Sequence, residues 1–246
     1  MSISILQWNI WYKEDIRNIA NEIKRLNPDI VCLQELTVNH PDQEIKNTIE
    51  HIASTLGYEH YAPLIPLREL EGQELSLANG IFSRFPIGNK RRVWVNEPKG
   101  DGGYDDEYRE YVEVTLRVEE RELVVGTAHM SYTHRFEVTD PKKAETDKLV
   151  AELKKPTLPF IFTGDLNATP GSYTIQSIEK VLKNAGPAND EKTWTIKPFS
   201  YQGFEEDRLN WRLDYAFVND KVEVASARVV DTEYSDHLPL LIEFEV

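Results

Sequence analysis

The chain has 246 residues, 40% of them hydrophobic, a single cysteine and a formal net charge of −14. That length and apolar content suit a folded protein with a substantial core, and the lone Cys32 excludes an intramolecular disulfide framework. The acidic balance argues against a protein that coats itself in nucleic acid, because backbone grip depends on Lys and Arg, but it does not exclude a nuclease whose bound divalent ion supplies local positive charge.

In chain order, residues 2–8 read as a first strand that runs into Asn9. Ile16, Ile19, Ala20, Ile23 and Leu26 recur at helical spacing after Asp15, and Asn27-Pro28-Asp29 stops that helix. A second strand, Ile30-Val31-Cys32-Leu33, ends in Gln34-Glu35. A helix of crossover length therefore separates two strands whose ends carry Asn9 and Glu35, which can converge at one rim. Ile45, Ile49, Ile52 and Leu56 mark a second amphipathic helix with Gly57 placed to cap it. Residues 79–87 read as a short strand closed by proline, with Arg84 in a supporting place. The glycine-, tyrosine- and acid-rich stretch between Lys99 and Tyr111 reads as a surface loop and a candidate substrate lid.

Residues 111–118 and 123–128 form an expected hairpin whose second strand ends in His129. Asp140-Pro141 is placed as N-cap and first position of a helix running through Leu153. The apolar run 158–162 leads into Thr163-Gly164-Asp165-Leu166-Asn167, where a buried strand delivers a carboxylate and an amide to the rim of a sheet. Ile175, Ile178 and Leu182 mark another helix. Residues 211–218 read as a strand with Asp214 embedded early in it, and Ser235-Asp236-His237 immediately precedes the closing strand, 238–244.

No linker, repeat or low-complexity block divides this pattern, no signal peptide opens it, and no apolar run approaches the roughly 20 residues that span a bilayer. The expectation is one domain over 1–246, cytoplasmic, with no membrane insertion and no obligate protein partner.

Asn9, Glu35, His129, Asp165, Asn167, Asp236 and His237 thus lie at strand ends, and Asp214 needs a partner if it is buried, a histidine being the natural one. Glu35 and Asp236 are hard oxygen donors that suit Mg2+ or Mn2+ better than zinc. Asn9 and Asn167 can hold a phosphate oxygen or a water without adding charge, and Asp165 can orient a water nucleophile. His237, with its tautomer fixed by Asp214, can act as acid/base or as a cation at developing charge. The set describes metal-assisted hydrolysis of a phosphoester. Trp11, Tyr12 and His134 lie just beyond strand ends and are candidates to line a substrate cleft, whereas His40, His51 and His60 have no motif around them.

Trp8-Asn9-Ile10, Leu33-Gln34-Glu35, residues 81–87, Gly164-Asp165-Leu166-Asn167, Arg212-Leu213-Asp214-Tyr215 and Ser235-Asp236-His237-Leu238-Pro239 together resemble the ordered motifs of the endonuclease/exonuclease/phosphatase superfamily. The resemblance covers nearly the whole chain. It implies an α/β fold, a four-layer α/β/β/α sandwich of two packed mixed sheets flanked by helices, with the active site at one end of the sheets. It also implies Glu35 as principal metal ligand with Asp236 and Asn9 near the metal, Asp165 and Asn167 on nucleophile and phosphate, and Asp214 paired with His237. His129 stands where abasic-site endonucleases of the superfamily usually have tyrosine, which counts against that activity.

The function expected is Mg2+- or Mn2+-dependent phosphodiester cleavage of nucleic acid or nucleotide, with Trp11, Tyr12 and Tyr132 available to stack on bases. The alternatives are a phosphatase or phosphodiesterase of a small metabolite or phospholipid headgroup, and a catalytically silent binding module, which should lack at least one member of the set.

Overall fold

A computed structural model of the chain describes residues 2–70, 72–100 and 106–245. The first unit is β1 (Ser2–Asn9), α1 (Ile16–Leu26) and β2 (Ile30–Val38), with β1 and β2 parallel and α1 as the crossover. The Asp15 carboxylate accepts from Arg17 N at the start of α1, and Asn27 in the left-handed region (φ 55) ends it. Then come α2 (Thr48–Leu56), β3 (Glu59–Tyr61), β4 (Leu64–Leu70) and β5 (Gln73–Ser83), followed by β6 (Ile87–Asn96), β7 (Arg109–Val118) and β8 (Arg121–His129). A second parallel unit joins β8 through α3 (Asp140–Leu153) to β9 (Phe160–Asp165). The chain finishes with α4 (Tyr173–Glu179), β10 (Lys183–Asn184), β11 (Phe199–Tyr201), β12 (Phe204–Glu206), β13 (Asp214–Val218), β14 (Glu223–Val229) and β15 (Leu240–Glu245).

One mixed sheet runs β14-β15-β1-β2-β5-β3 with β4 on β5, and the other runs β10-β13-β9-β8-β7-β6. Each parallel pair lies inside its sheet. Ile3, Ile5, Cys32, Val114, Val125, Ile161 and Ile242 fill the space between the sheets. Leu6, Trp8, Val31 and Leu33, on the opposite face, pack against Ile19 and Ile23 of α1 and Ile52 of α2, while Phe160 and Phe162 pack against Leu149 of α3 and Ile178 of α4. The result is the four-layer α/β/β/α sandwich. No helix among the described residues is long and apolar enough to cross a membrane.

Several boundaries differ from the sequence reading. The second strand does not stop at Glu35: pairing with β5 shifts between Leu33 and Leu36, and the strand resumes to Val38. The stretch 79–87 is divided, since Pro86 lies in the turn between β5 and β6 and Ile87 opens the next strand. Thr139, not Asp140, caps α3 by accepting from Lys142 N, so Asp140 begins the helix. Residues 158 and 159 precede β9, Trp211 precedes β13, and β15 starts at Leu240. Of the loop expected between Lys99 and Tyr111, residues 101–105 lie outside the described residues, and Arg109 already belongs to β7.

Candidate active site

On the faces that meet between the sheets, four strands change character in the same direction. Reading every second residue toward the carboxyl end gives Ile5, Gln7, Asn9 on β1 and Ile30, Cys32, Gln34 on β2, then Val125, Thr127, His129 on β8 and Ile161, Thr163, Asp165 on β9. Apolar packing thus gives way to a polar layer, and that layer to the ionisable groups. Gln34 Nε2 donates to Gln7 Oε1 at 3.1 Å and to Thr127 Oγ1 at 2.9 Å, which ties the two sheets together directly beneath the site.

Register brings the groups together. Asn9 pairs with Gln34, His129 with Asp165, and Asp214 with Asp165. The β8–β9 approach depends on Gly164, where a Cβ would stand 2.3 Å from the Ala128 carbonyl oxygen. Glu35 occupies the irregularity in β2 with φ 64, a conformation a non-glycine residue seldom adopts, and this is what takes its carboxylate out of the strand's alternation. The Asn9 amide donates to Glu35 Oε1 and to Asp165 Oδ2, each at 3.0 Å, and the Tyr12 backbone N–H donates to Glu35 Oε2 at 3.0 Å. Asp165 Oδ1 accepts from Asn167 N at 3.0 Å. The Asn167 side-chain amide donates to the Met130 carbonyl at 3.0 Å and lies 3.2 Å from His129 Nε2.

His237 is carried on the turn before β15. Its Nδ1 is 2.8 Å from Asp214 Oδ2, and its Nε2 is 3.6 Å from Asp165 Oδ2 and 4.0 Å from Asp236 Oδ1. The turn is pinned to the end of β1, since Ser235 Oγ donates to the Asn9 carbonyl at 2.7 Å and Trp8 Nε1 donates to the His237 carbonyl at 2.9 Å. The Trp194 indole donates to Asp236 Oδ2 at 3.0 Å.

Charge in this site is unevenly placed. Burial disfavours a charged His237, but Asp214, Asp165 and Asp236 outweigh it and raise the imidazole to about 10, so the ring is a cation at neutral pH. Burial, and then Asp214, push the Asp165 carboxyl upward, against the pull of His237 and the Asn9 amide. His129 is held well below its ordinary value by burial and by the cations Arg109, His237 and Lys142, which leaves it neutral. Glu35 is raised by burial and then by the Asp236 carboxylate.

Two half-buried carboxylates that repel one another across a pocket, held by neutral N–H donors, fit a hard divalent cation. Asp165, Asp214 and His237 also bring donor atoms within 4.8 Å of one another. In that group Nδ1 of His237 is already committed to Asp214, so it reads as a hydrogen-bonded relay, and Glu35 with Asp236 is the better ion site.

The pocket, about 370 Å³, is lined by Asn9, Glu35, His129, Asp165, Asn167, Asp236 and His237. Asp214 lies behind His237, fully buried. Trp11, Tyr12 and His134 are not among the lining residues. Tyr12 contributes its backbone N–H while its ring packs 4.8 Å from His40, and the His134 ring lies edge-on to Phe204. Arg84 serves the fold, bonding Tyr58 and Asn27 at the far end of α1. Sequence reasoning missed Phe136, Trp194, Phe199 and Tyr201, which complete the wall together with Tyr132 and with Asp106, Glu107 and Arg109 of the stretch read as a candidate lid. The available signal was the density of aromatics at Trp194, Phe199, Tyr201, Phe204 and Trp211 in a stretch without periodicity.

Two polar residues of α3 hold the strand ends in place. Lys142 Nζ donates to the Ser131 and Leu166 carbonyls at 2.6 and 2.8 Å, and Glu145 Oε1 accepts from Ser131 N at 3.0 Å. The segments that follow His129 and Asp165 are thereby bolted to one helix.

The profile of the Endonuclease/Exonuclease/phosphatase family matches residues 6–237. Over 182 residues the chain is 24% identical to mouse Protein angel homolog 2, a match covering 68% of this chain and 30% of that longer protein. The endonuclease/exonuclease/phosphatase of Beutenbergia cavernae superposes with a TM-score of 0.78 at 22% identity, covering 100% of this chain and 72% of the other. D. rerio TDP2 complexed with a single-strand DNA product superposes with a TM-score of 0.70 at 15% identity, over 100% and 99% of the two chains.

Proposed function

The chain belongs to the endonuclease/exonuclease/phosphatase family, and from that premise we propose that it is a Mg2+- or Mn2+-dependent phosphoester hydrolase, most simply a phosphodiesterase acting on nucleic acid or nucleotide. The observation that carries this reading is the His237 imidazole, fixed between Asp214 and Asp165 at one pocket with Glu35 and Asp236.

Glu35 and Asp236, with the Asn9 amide beside them, would hold the ion. When bound, it supplies Lewis-acid neutralisation of charge on the phosphoryl oxygens. Asp165 accepts the proton of the attacking water, and the Asn9 and Asn167 amides fix the Asp165 carboxylate and a phosphoryl oxygen. As the water oxygen bonds to phosphorus and the ester P–O bond breaks, His237 donates to the oxygen on which charge develops. Asp214 holds the ring in orientation and keeps it protonated. Neutral His129 adds a hydrogen-bonding group without adding charge. Arg109, ion-paired to Glu107, supplies the remaining positive group on the wall.

One catalytic domain over 1–246 is sufficient for this chemistry. The single buried Cys32 fits an intracellular setting. The formal charge of −14 favours a second reading, a small phosphate ester as substrate. A silent binding module is disfavoured because every member of the set is present.

The test is hydrolysis of chromogenic phosphodiesters and monoesters, single- and double-stranded DNA, RNA, inositol phosphates and sphingomyelin, with Mg2+, Mn2+ or EDTA, and with Glu35→Gln as control. Metal-dependent turnover lost in the variant is expected. Silence on every substrate with the fold intact would overturn the reading.

A further inference from the structure

Residues 193–196 run between the approach to β13 and the approach to β15. The Trp194 backbone N–H and carbonyl exchange hydrogen bonds with Trp211, at 2.9 and 2.8 Å. Thr193 Oγ1 accepts from Leu213 N and Asp214 N at 3.1 and 3.3 Å, the Thr193 carbonyl accepts from Leu238 N at 2.8 Å, and Ile196 N donates to the Asp236 carbonyl at 3.1 Å. Because β13 and β15 lie in different sheets, this segment splints the backbone of Asp214 to that of Asp236 and His237 across the rim of the site.

Those bonds are made by the backbone and by Thr193, so they place no demand on the side chain at position 194. The indole makes a different contact: its Nε1 donates to Asp236 Oδ2 at 3.0 Å. Asp236 Oδ1 has no comparable donor. Ser235 Oγ stands 3.5 Å from it, but the single hydroxyl proton goes to the Asn9 carbonyl at 2.7 Å, and His237 Nε2 is 4.0 Å away. One carboxylate oxygen is thus taken by a neutral donor while the other is left to the pocket, which Trp194 and Asp236 both line. An indole N–H carries no charge, so it orients the carboxylate without setting a positive group against a bound cation, as Lys or Arg would. The ring is itself held firmly, 4% exposed and edge-on to Phe136 at 5.4 Å and to Phe199 at 5.0 Å, so the N–H is aimed before any ion arrives.

We infer that Trp194 is a positioning residue for the divalent ion: its indole fixes Asp236 so that Oδ1 is the oxygen presented, and ion affinity falls when that N–H is lost although every ligand remains. This rests on the hydrolase reading, in which Glu35 and Asp236 hold the ion, and adds to it the group that orients one of them.

Mn2+ binding, read from the free-ion signal in electron paramagnetic resonance, needs neither substrate nor turnover. Trp194→Phe keeps a ring in the aromatic cluster and removes the donor. Its dissociation constant for Mn2+ is expected to rise about tenfold, the low end for loss of a hydrogen bond to a metal ligand. Trp211→Phe is the control, because it removes an indole N–H from the same cluster, one that donates to Glu206 at 2.7 Å; its dissociation constant should match that of the wild type. An unchanged constant in Trp194→Phe, or an equal rise in Trp211→Phe, would overturn the inference and leave the ion site standing. A wild type that binds no Mn2+ would overturn the ion site as well. Should Trp194→Phe not fold, the Trp194 indole N–H resonance of the wild type, assigned by Trp→Phe at the other tryptophans, decides. A shift on Mg2+ titration larger than that of the Trp211 indole supports the inference, and a shift no larger refutes it.

Discussion

His237 Nδ1 stands 2.8 Å from Asp214 Oδ2, both side chains are buried, and the histidine lines the pocket while the aspartate stands behind it. Asp214→Asn preserves shape but removes the charge that sustains the imidazolium, so kcat is expected to fall about 10²- to 10⁴-fold, the usual range for an acid–base group. Steady-state kinetics alongside circular dichroism check this. A loss below threefold with the fold unchanged would refute the relay.

Among the described residues, no Lys, Arg or His is in hydrogen-bond contact with Glu35 or Asp236, which face one pocket. Millimolar Mn2+ should therefore raise the melting temperature of the wild type by mass action on the folded state, and Glu35→Gln should abolish that rise. A rise of equal size in the variant would place the ion elsewhere.

Lys142 holds the backbone after β8 and after β9 at once, and burial pushes its amine down to about 8. Lys142→Met leaves two buried carbonyls without their donor, which typically costs about 1–3 kcal/mol each. Denaturation should show that loss. The kcat should fall more than KM rises, because His129 and Asp165 lose their common anchor. A loss of stability with kcat untouched would make the lysine a structural prop only.

Glu110 is fully buried on β7, neither carboxylate oxygen makes a close hydrogen bond among the described residues, the Asn79 backbone N–H bears on it weakly, and Arg92 is 3.7 Å away. Burial, against the pull of Arg92, pushes the carboxyl up to about 8. Because its folded value lies above the unfolded 4.5, the neutral acid is favoured by folding. Its contribution is full below pH 4.5 and is lost as pH rises through about 8, a change on the order of 3–5 kcal/mol. Glu110→Gln should gain stability relative to wild type from pH 5 to pH 9, read by urea denaturation. A constant difference across that range would mean the group stays charged throughout.

The residues at strand ends were legible because apolar runs stop abruptly at Asn9, His129 and Asp165, and a run of buried side chains is the signal a sequence carries most clearly. Glu35 looked like another such end. It is an interruption, since an inserted residue breaks the two-residue period and the resumed strand, Leu36–Val38, is too short to announce itself. The edge strands β6 and β14 were not anticipated because most of their residues are exposed or half-exposed and charged side chains interrupt the apolar pattern, as edges commonly show. The aromatic wall escaped because Trp194, Phe199 and Tyr201 sit on irregular or very short elements, where no periodicity marks which side chains converge.

The last strand, β15, is not at an edge: it lies between β1 and β14, and its leading turn carries Asp236 and His237. During synthesis, everything up to β14 can emerge from the ribosome and still lack both the strand that shields β1 and the imidazolium of the site. The pocket of the nascent chain is thus incomplete until β15 slots in beside β1, and the site is assembled together with the middle of the sheet.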